Sequence, residues 1–555
     1  MAGCRKICQS NQWNRRMKNF TVCALSLLTL LPAGGIAWAA PADYQLEQVL
    51  LFSRHNLRAP LATNGSVLEQ ATRKPWPQWQ VAGGELTTKG GILEVYMGNY
   101  TRAWLAQQGL IKADACPDAH RVFAYANSLQ RTVATAQYFV TGAFPGCDIA
   151  VTHQDAMGTM DPIFNPVIAN GSEAFQKAAL TAMQATAKQQ DLTAAWQQLD
   201  KIVDYKNSPA CKGKKGCSLE STENSFSAKP GAEPGVSGGL RTGNALVDAF
   251  TLQYYEGFPA DQVAWGQIKT PEQWQQLSAI KNGYQDALFT SSAVAADVVA
   301  PLLDYLRSQL MDNGDDAPQV TLMVGHDSNI ASLLSALKVK PWTLPGQYEK
   351  TPIGGQVVFQ RWLNKKTQQP LLKVEYVYQT ADQLRNATPL SLKTPPQRVT
   401  LQLEGCTTDA NGFCDWQQFS AVLNDVLKNK QMQTSVAPEA RAAADSAAQD
   451  KAAQNTTVAA QAKAAAEKAE ADRIAAEKAA KAQAEAERVA AEKAAEAKAS
   501  AEKAEKEQAA ADREAAEQAA KQKAAAQQER AAGEKAAGTA HGAASNSQGG
   551  AGQAQ

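Results

Sequence analysis

The change in composition after Met432 constrains the fold of this chain more than any other feature of its sequence. Residues 433–555 contain no Leu, Phe, Trp, Tyr or Cys and consist mainly of Ala, Lys, Glu and Gln. A segment without large apolar side chains cannot bury a core. The tertiary fold must therefore come from the preceding residues, and the sequence predicts a globular domain over 40–432.

The N-terminus has the organisation of a secretory signal peptide. A basic cluster at 15–18 precedes an apolar run at 20–31, and a small-x-small site at 37–39 follows it. The apolar run is much shorter than the roughly 20 residues that a membrane-spanning helix needs. We therefore predict a cleaved signal over 1–39, with Met17 as an alternative true start, and no transmembrane segment.

Six cysteines remain after this cleavage, and their number and spacing are typical of disulfides. None lies in a C-x-x-C pair, which argues against a zinc site and for an oxidising compartment. The sequence leaves the connectivity open, and pairing of nearest neighbours along the chain is the simplest expectation. The expected pairs are Cys116–Cys147, Cys211–Cys217 and Cys406–Cys414.

The balance of charge excludes some classes of partner. Lys and Arg number 55 and Asp and Glu number 54, which gives a net charge of +1. A nucleic-acid-binding protein or a polybasic membrane anchor would carry a clear excess of cations. We therefore predict no nucleic-acid partner.

Apolar runs and amphipathic stretches alternate within the globular domain. Runs of this kind predict buried strands, and strands interleaved with helices predict an α/β fold with a mainly parallel sheet flanked by helices. The predicted strands lie at 47–53, 121–126, 319–325, 356–360 and 372–378.

The middle of the domain has a different texture. Residues from about 170 to 290 show helical spacing and are interrupted by a Gly/Pro-rich loop at 229–239. This pattern predicts a mostly helical cap over the sheet, where it could select the substrate. Additional core helices without a role in specificity remain the alternative.

Two histidine motifs follow the two strongest predicted strands. Arg54-His55-x-x-Arg58-x-Pro60 follows one, and His326-Asp327 follows the other. Ligands bind at the carboxyl ends of strands in α/β sheets, so the motifs are expected to share a pocket. Two arginines beside a histidine need an anion to offset them, and the guanidinium fork suits phosphate. Their charges also favour a neutral, nucleophilic ring.

These motifs and Ser128-Leu-Gln-Arg131-Thr132 resemble those of the histidine acid phosphatases, the second branch of the histidine phosphatase superfamily. The resemblance covers 43–432. It implies a phosphoric monoester hydrolase in which His55 is the nucleophile and Asp327 the proton donor. The phosphate cradle that it implies consists of Arg54, Arg58, Arg131 and His326.

Within the family, Asn56-Leu57 and Ser328 are similar to the bacterial periplasmic glucose-1-phosphatases, whereas the related phytases usually carry Gly-Val and Thr there. Glu233 matches a substrate-side acidic residue of the same enzymes, with a solvated loop charge as the alternative. The resemblance implies a periplasmic enzyme acting on a small phosphorylated sugar, most directly glucose-1-phosphate. A phytase or a broad-specificity acid phosphatase is the alternative.

No metal or other cofactor is predicted. His120 and His153 stand alone, and no Asp/His cluster has the spacing of a two-metal phosphatase site.

The tail carries an imperfect repeat, at 472–480, 487–495 and 512–520. Its composition favours helix, so we predict a helical or partly helical spacer over 433–537 and disorder over 538–555. A third interpretation of the chain follows, in which it is an envelope tether that carries a phosphatase domain. The sequence leaves three accounts of the tail open: contact with an envelope component, spanning of a gap, or origin in a fusion or frameshift.

Overall fold

The computed structural model describes residues 42–61, 66–312, 314, 317–435, 492, 493, 495, 496 and 498–530. The chain divides into two compact units between Pro438 and Glu439. The predicted signal peptide and the predicted disordered C-terminus lie outside the described residues, as does much of the predicted spacer.

The first unit contains strands and helices in alternation. Its strands are β1 (Tyr44–Arg54), β2 (Val122–Ala126), β3 (Val151–Thr152), β4 (Ser225–Ser227), β5 (Gly235–Ser237), β6 (Val320–Gly325), β7 (Gln356–Asn364), β8 (Gln369–Tyr378), β9 (Gln397–Thr400) and β10 (Cys414–Asp415). Its α-helices are α1 (Val67–Ala71), α2 (Thr88–Gln107), α3 (Gln130–Ala143), α4 (Glu173–Lys188), α5 (Thr193–Val203), α6 (Gly239–Glu256), α7 (Pro271–Phe289), α8 (Ser292–Met311), α9 (Asp327–Ala336), α10 (Ala381–Arg385) and α11 (Trp416–Ser435).

The central sheet has the strand order β10-β8-β7-β1-β6-β2-β3, and β9 also pairs with β8. The α/β fold predicted from sequence is confirmed. The expectation of a mainly parallel sheet holds for one half only, where β1, β6, β2 and β3 are parallel. The other half is antiparallel, because the four residues 365–368 join β7 to β8. A connection this short can join only antiparallel neighbours.

The parallel half of the sheet is covered on both faces, as the continuous apolar runs predict. Leu50 and Phe52 of β1 pack into a core with α8 and α9, and Val49 and Leu51 pack into a second core with α2 and α3. All residues of β6 are buried. This burial fixes the ends of β1 and β6, and therefore the residues that follow them, against a rigid frame.

Helices occupy most of the range in which the sequence predicts a cap. Helices α4 to α7 share a separate apolar core, and the Gly/Pro-rich loop forms the turn and second strand of the β4–β5 hairpin. Gly238, with φ 95°, ends this hairpin and begins α6. A side chain at this position would collide with the backbone carbonyl of Glu223, so the connection requires glycine.

Three disulfides join nearest neighbours along the chain. They are Cys116–Cys147, Cys211–Cys217 and Cys406–Cys414.

In the second unit, residues 498–530 are helical, and every one of them is exposed. Side chains one turn apart form ion pairs on this helix, at Lys503–Glu507 and Glu517–Lys521. Within the described part of the chain no single helix has the length and apolarity to cross a membrane, although α7 and α8, bent by 79°, pass that test as a pair.

Candidate active site

The two histidine motifs meet at one edge of the sheet. Strands β1 and β6 are parallel neighbours, and Arg54 at the end of β1 lies opposite Gly325 at the end of β6. The next residue in each chain segment is a histidine, so His55 and His326 emerge together. Their ring centroids are 5.7 Å apart, and the His55 backbone N–H donates to the Gly325 carbonyl at 3.0 Å.

A cavity of about 300 Å³ opens at this edge. All of the substrate-site residues predicted from sequence line this cavity except Arg54. Arg54 is fully buried and pairs with Asp327 and Glu349, which do line it. The predicted residues that line it are His55, Arg58, Arg131, Glu233, His326 and Asp327. Helices α6 and α7 form the opposite wall and add Asp248, Lys281 and Tyr284, which the sequence analysis did not single out.

The His55 ring is oriented by a backbone carbonyl. Its Nδ1 lies 2.8 Å from the carbonyl oxygen of Asn56. A carbonyl oxygen only accepts, so Nδ1 carries the proton and Nε2 of the neutral ring keeps its lone pair. Burial, followed by the charges of Arg131 and Arg58, holds the pKa of His55 well below its usual value. The ring therefore stays neutral to lower pH than an exposed histidine, with Nε2 available as a nucleophile.

The Asn56 residue, whose carbonyl accepts this hydrogen bond, is anchored by helices α2 and α3. The Asn56 side-chain amide donates to Glu94 at 2.6 Å, and the Asn56 N–H donates to Thr135 at 3.0 Å. Burial raises the pKa of Glu94 to about 8, against the opposing effect of the Asn56 hydrogen bond. Glu94 is thus a neutral carboxyl group in acid, and it holds the loop without adding a charge behind His55.

The three arginines of the site differ in their partners. Arg54 pairs with Glu349 at 3.0 Å and with Asp327 at 3.2 Å, and Arg58 pairs with Asp248 at 3.1 Å. The Arg131 guanidinium makes no hydrogen bond or ion pair with any described residue, although the Arg131 backbone carbonyl accepts from the Thr135 hydroxyl. Burial and the charge of Arg58 lower the pKa of Arg131 to about 10, so it is still a cation in acid and at neutrality. Arg131 is therefore the cation most available to an incoming anion.

A chain of buried ion pairs connects the sheet to helices α6 and α7. Lys281 lies 2.5 Å from Asp248 and 2.6 Å from Glu349, which in turn bind Arg58 and Arg54. Burial opposes ionisation of Asp248, but Lys281 and Arg58 outweigh it and lower its pKa. Asp248 had a weak sequence signal, as a carboxylate between buried apolar residues of one helix. Lys281 and Glu349 had none.

Replacing Lys281 with methionine is expected to lower the free energy of unfolding by about 3 kcal/mol, because it leaves two buried carboxylates short of a partner. Urea denaturation measures the change. Lys350→Met is the matched control. Lys350 is half exposed and pairs with Asp286 of α7, the helix that also carries Lys281. Its removal should cost less than about 1 kcal/mol. Equal losses in the two variants would contradict the importance of the buried network.

Two carboxyl groups face the open side of the cavity. Asp327 pairs with Arg54, and its side chain is 33% exposed. Burial would raise the pKa of Asp327, but Arg54 and Lys281 outweigh that effect and lower it. Desolvation in the cleft and the charge of Asp327 raise the pKa of Glu233, against Arg131. Burial, together with the charges of these two carboxyl groups, raises the pKa of Tyr284 to about 12.

The described residues contain no group of three or more His, Cys, Asp and Glu side chains placed to hold a metal ion. The polar groups of the cavity are instead arranged as paired and unpaired cations around two neutral imidazoles, a set suited to an oxyanion.

Comparisons with known proteins agree with this chemistry. Residues 45–379 match the family model described as histidine phosphatase superfamily (branch 2). The chain is 58% identical over 411 residues to a glucose-1-phosphatase of Salmonella typhimurium, an alignment that covers 74% of this chain and 100% of the relative. It is 51% identical over 390 residues to a glucose-1-phosphatase of Providencia rettgeri, covering 70% and 93%. The solved phytase of Citrobacter braakii superposes with a TM-score of 0.65 at 31% identity, covering 69% and 98%.

Proposed function

The chain belongs to branch 2 of the histidine phosphatase superfamily and is a phosphoric monoester hydrolase, and from this premise we propose that it hydrolyses glucose-1-phosphate through a phosphohistidine at His55. One observation carries the proposal. The neutral His55 ring, with its Nε2 lone pair free, shares a cavity with the unpaired guanidinium of Arg131. This arrangement offers a nucleophile and an anion site in the same place.

In the first step, Arg131, Arg58 and His326 bind the phosphoryl oxygens and offset their charge. The Nε2 lone pair of His55 attacks phosphorus, the N–P bond forms, and the ester P–O bond breaks. Asp327 gives its proton to the departing sugar oxygen. Although Arg54 and Lys281 lower the pKa of Asp327 in the free enzyme, the negative charge of bound phosphate raises it again. Substrate binding and protonation of the acid are therefore coupled, which favours turnover in acid.

In the second step, water attacks the phosphorus of the phosphohistidine. Asp327, now a carboxylate, accepts a proton from this water as the N–P bond breaks. The electron pair of that bond returns to Nε2 of His55. Phosphate leaves, and the enzyme regains its neutral nucleophile and its protonated acid.

Replacing Asp327 with asparagine is expected to slow the first turnover of glucose-1-phosphate, in which the ester bond breaks, by about 10³-fold, because the sugar alkoxide cannot leave without a proton. The first-turnover release of p-nitrophenolate from p-nitrophenyl phosphate, which leaves unprotonated, should slow only about tenfold. Rapid-mixing kinetics with both substrates measure this step apart from hydrolysis of the phosphohistidine, in which Asp327 is the base for either substrate. Glu233→Gln is the control, since it alters a neighbouring carboxyl group and should affect the first-turnover rates of both substrates alike. Equal losses for Asp327→Asn would argue against its role as the acid.

The charges of the cavity favour a singly phosphorylated substrate. Three of its lining residues are cationic, Arg58, Arg131 and Lys281, and two of these already pair with carboxylates. Four carboxyl groups line the same cavity, at Glu233, Asp248, Asp327 and Glu349. Phytate would bring several more phosphates against these carboxyl groups. It remains the second candidate, because the solved relative named above is a phytase.

Phosphate release from the two candidates tests the substrate. We expect kcat/KM for glucose-1-phosphate to exceed that for phytate at acid pH, with EDTA present throughout. A preference for phytate would be compatible with the proposed mechanism but would show that the substrate specificity is that of a phytase. Loss of activity in EDTA, restored by a divalent ion, would contradict a metal-independent mechanism.

We also propose that the enzyme acts in the periplasm after cleavage of its signal peptide. Three disulfides support an oxidising compartment. The signal itself lies outside the described residues.

A further inference from the structure

We propose that Asn127 is a positioning residue that holds His326 as a neutral ring protonated on Nδ1, so that His326 offers phosphate a hydrogen bond in acid without becoming a cation. This inference rests on the proposed function, since it assigns a partner to one of the phosphate-binding residues. It concerns a side chain that the sequence analysis did not single out.

The orientation of the Asn127 amide is fixed by the backbone around it. Asn127 is fully buried directly after β2, and its Oδ1 accepts the N–H groups of Ser128 and Asp161, each at 2.9 Å. Backbone N–H groups only donate, so the atom that faces them must be the oxygen. The assignment of oxygen and nitrogen, often ambiguous for asparagine, is therefore determined here by two donors.

The amide nitrogen of Asn127 consequently faces His326. Its Nδ2 lies 2.6 Å from Nε2 of His326. An amide NH₂ group only donates, so Nε2 must accept and cannot carry a proton. The neutral ring then carries its proton on Nδ1, which is the only donor that it has for a substrate. If Nε2 were protonated, its N–H would face the N–H of the Asn127 amide, and neither buried donor would have an acceptor.

The charges around His326 act in the same direction. Burial and Arg131 lower the pKa of His326, Asp327 opposes them, and the net result is a pKa of about 3. The remaining charged or titratable groups that face the ring are Arg54, Arg58 and His55. An exposed histidine would become an imidazolium below its ordinary pKa of about 6.5, whereas His326 stays neutral in acid.

Both histidines of the site are thus the Nδ1-protonated tautomer, but they present opposite ring nitrogens to the substrate. In His55 the Nδ1–H is tied to a carbonyl, which frees the Nε2 lone pair for phosphorus. In His326 the Nε2 lone pair is tied to Asn127, which frees the Nδ1–H for an oxygen of phosphate. A local asparagine sets the ring in both cases, through its backbone carbonyl at Asn56 and through its side chain at Asn127.

Nitrogen NMR of the full chain with labelled histidine tests the tautomer directly. The sequence has five histidines, and the spectrum of a His326→Asn variant identifies the resonances of His326. Between about pH 5 and pH 7 we expect one protonated nitrogen, Nδ1, and no titration. An Nε2-protonated ring, or titration to an imidazolium in this range, would overturn the proposal without the need for any variant.

Asn127→Asp tests the consequence for binding. A carboxylate keeps the acceptor for Ser128 and Asp161 but faces Nε2 with a second acceptor, so Nε2 becomes protonated. In acid the ring is then an imidazolium and still donates through Nδ1. As the pH rises, the ring loses the Nδ1 proton and the hydrogen bond to phosphate.

The measured quantity is the ratio of two inhibition constants of inorganic phosphate, that of the variant divided by that of the wild type. It should rise about ten- to hundredfold between about pH 5 and pH 7.5, the cost of one charged hydrogen bond. Asn170→Asp, a buried asparagine whose Oδ1 accepts from Ser172, is the matched control and should give a constant ratio. A constant ratio for Asn127→Asp as well would overturn the proposal. A wild-type chain with the expected tautomer but no phosphatase activity would refute the proposed function and still support the tautomer.

Discussion

Alanine at position 55 is expected to lower kcat for every phosphate monoester by at least about 10⁵-fold, because the reaction then has no covalent nucleophile. Substrate binding should survive better than turnover, since Arg58, Arg131 and His326 are intact. A rapid quench of the wild type with labelled substrate should leave acid-labile, base-stable phosphate on the protein, and the variant should leave none.

The control for this experiment is His153→Ala. The Nδ1 of His153 lies 2.7 Å from the carbonyl of Gln154, just as that of His55 faces the carbonyl of Asn56. His153 does not line the cavity, so its loss should leave kcat unchanged. Full activity in His55→Ala, or labelled phosphate on another residue, would reject the proposed mechanism.

The parts of the site that follow strand ends could be predicted from sequence. An apolar run that ends in a polar motif places that motif at the carboxyl edge of the sheet, and adjacency of β1 and β6 brings His55 to His326. Asn127 lies at the same edge of the sheet, directly after β2, which corresponds to the strand predicted at 121–126. Its role depends on which neighbours its amide faces, and sequence contains no direct record of that.

The contribution of the opposite wall could not be predicted in the same way. Lys281 reaches the cavity because α7 packs on α6 in one register, and that register is set by apolar contacts around Leu246, Phe250 and Ile280. A helical pattern predicts a helix and its buried face. It does not predict which polar residue of that helix contacts a neighbouring element. The antiparallel half of the sheet was missed for a related reason. The strand runs were recognised, whereas strand direction depends on the four-residue turn between them.

Replacing Arg131 with alanine is expected to lower kcat/KM by about 10⁴-fold, the scale at which an arginine stabilises a transferring phosphoryl group. The Arg131 guanidinium forms no ion pair or hydrogen bond with the described residues, so its charge is available to substrate. Arg54 and Arg58 are already offset by carboxylates. The loss should therefore exceed that of removing a paired arginine of the same site.

The same substitution should also change the pH dependence. After burial, the charge of Arg131 is the largest cause that lowers the pKa of His55. Without this cation the ring binds a proton more easily, so its pKa rises, and a protonated ring has no lone pair for phosphorus. The acid limb of kcat/KM should therefore move to higher pH.

Arg131→Lys separates the two effects, because lysine keeps the charge and loses the bidentate fork. Its acid limb should stay at the wild-type position while kcat/KM still falls. The pH profiles of kcat/KM for the wild type and both variants, measured with p-nitrophenyl phosphate, decide the matter. An unmoved acid limb in Arg131→Ala would mean that burial and the remaining arginines, Arg58 and Arg54, keep His55 neutral without Arg131. Full activity in Arg131→Lys would mean that phosphate needs only a positive charge at this place.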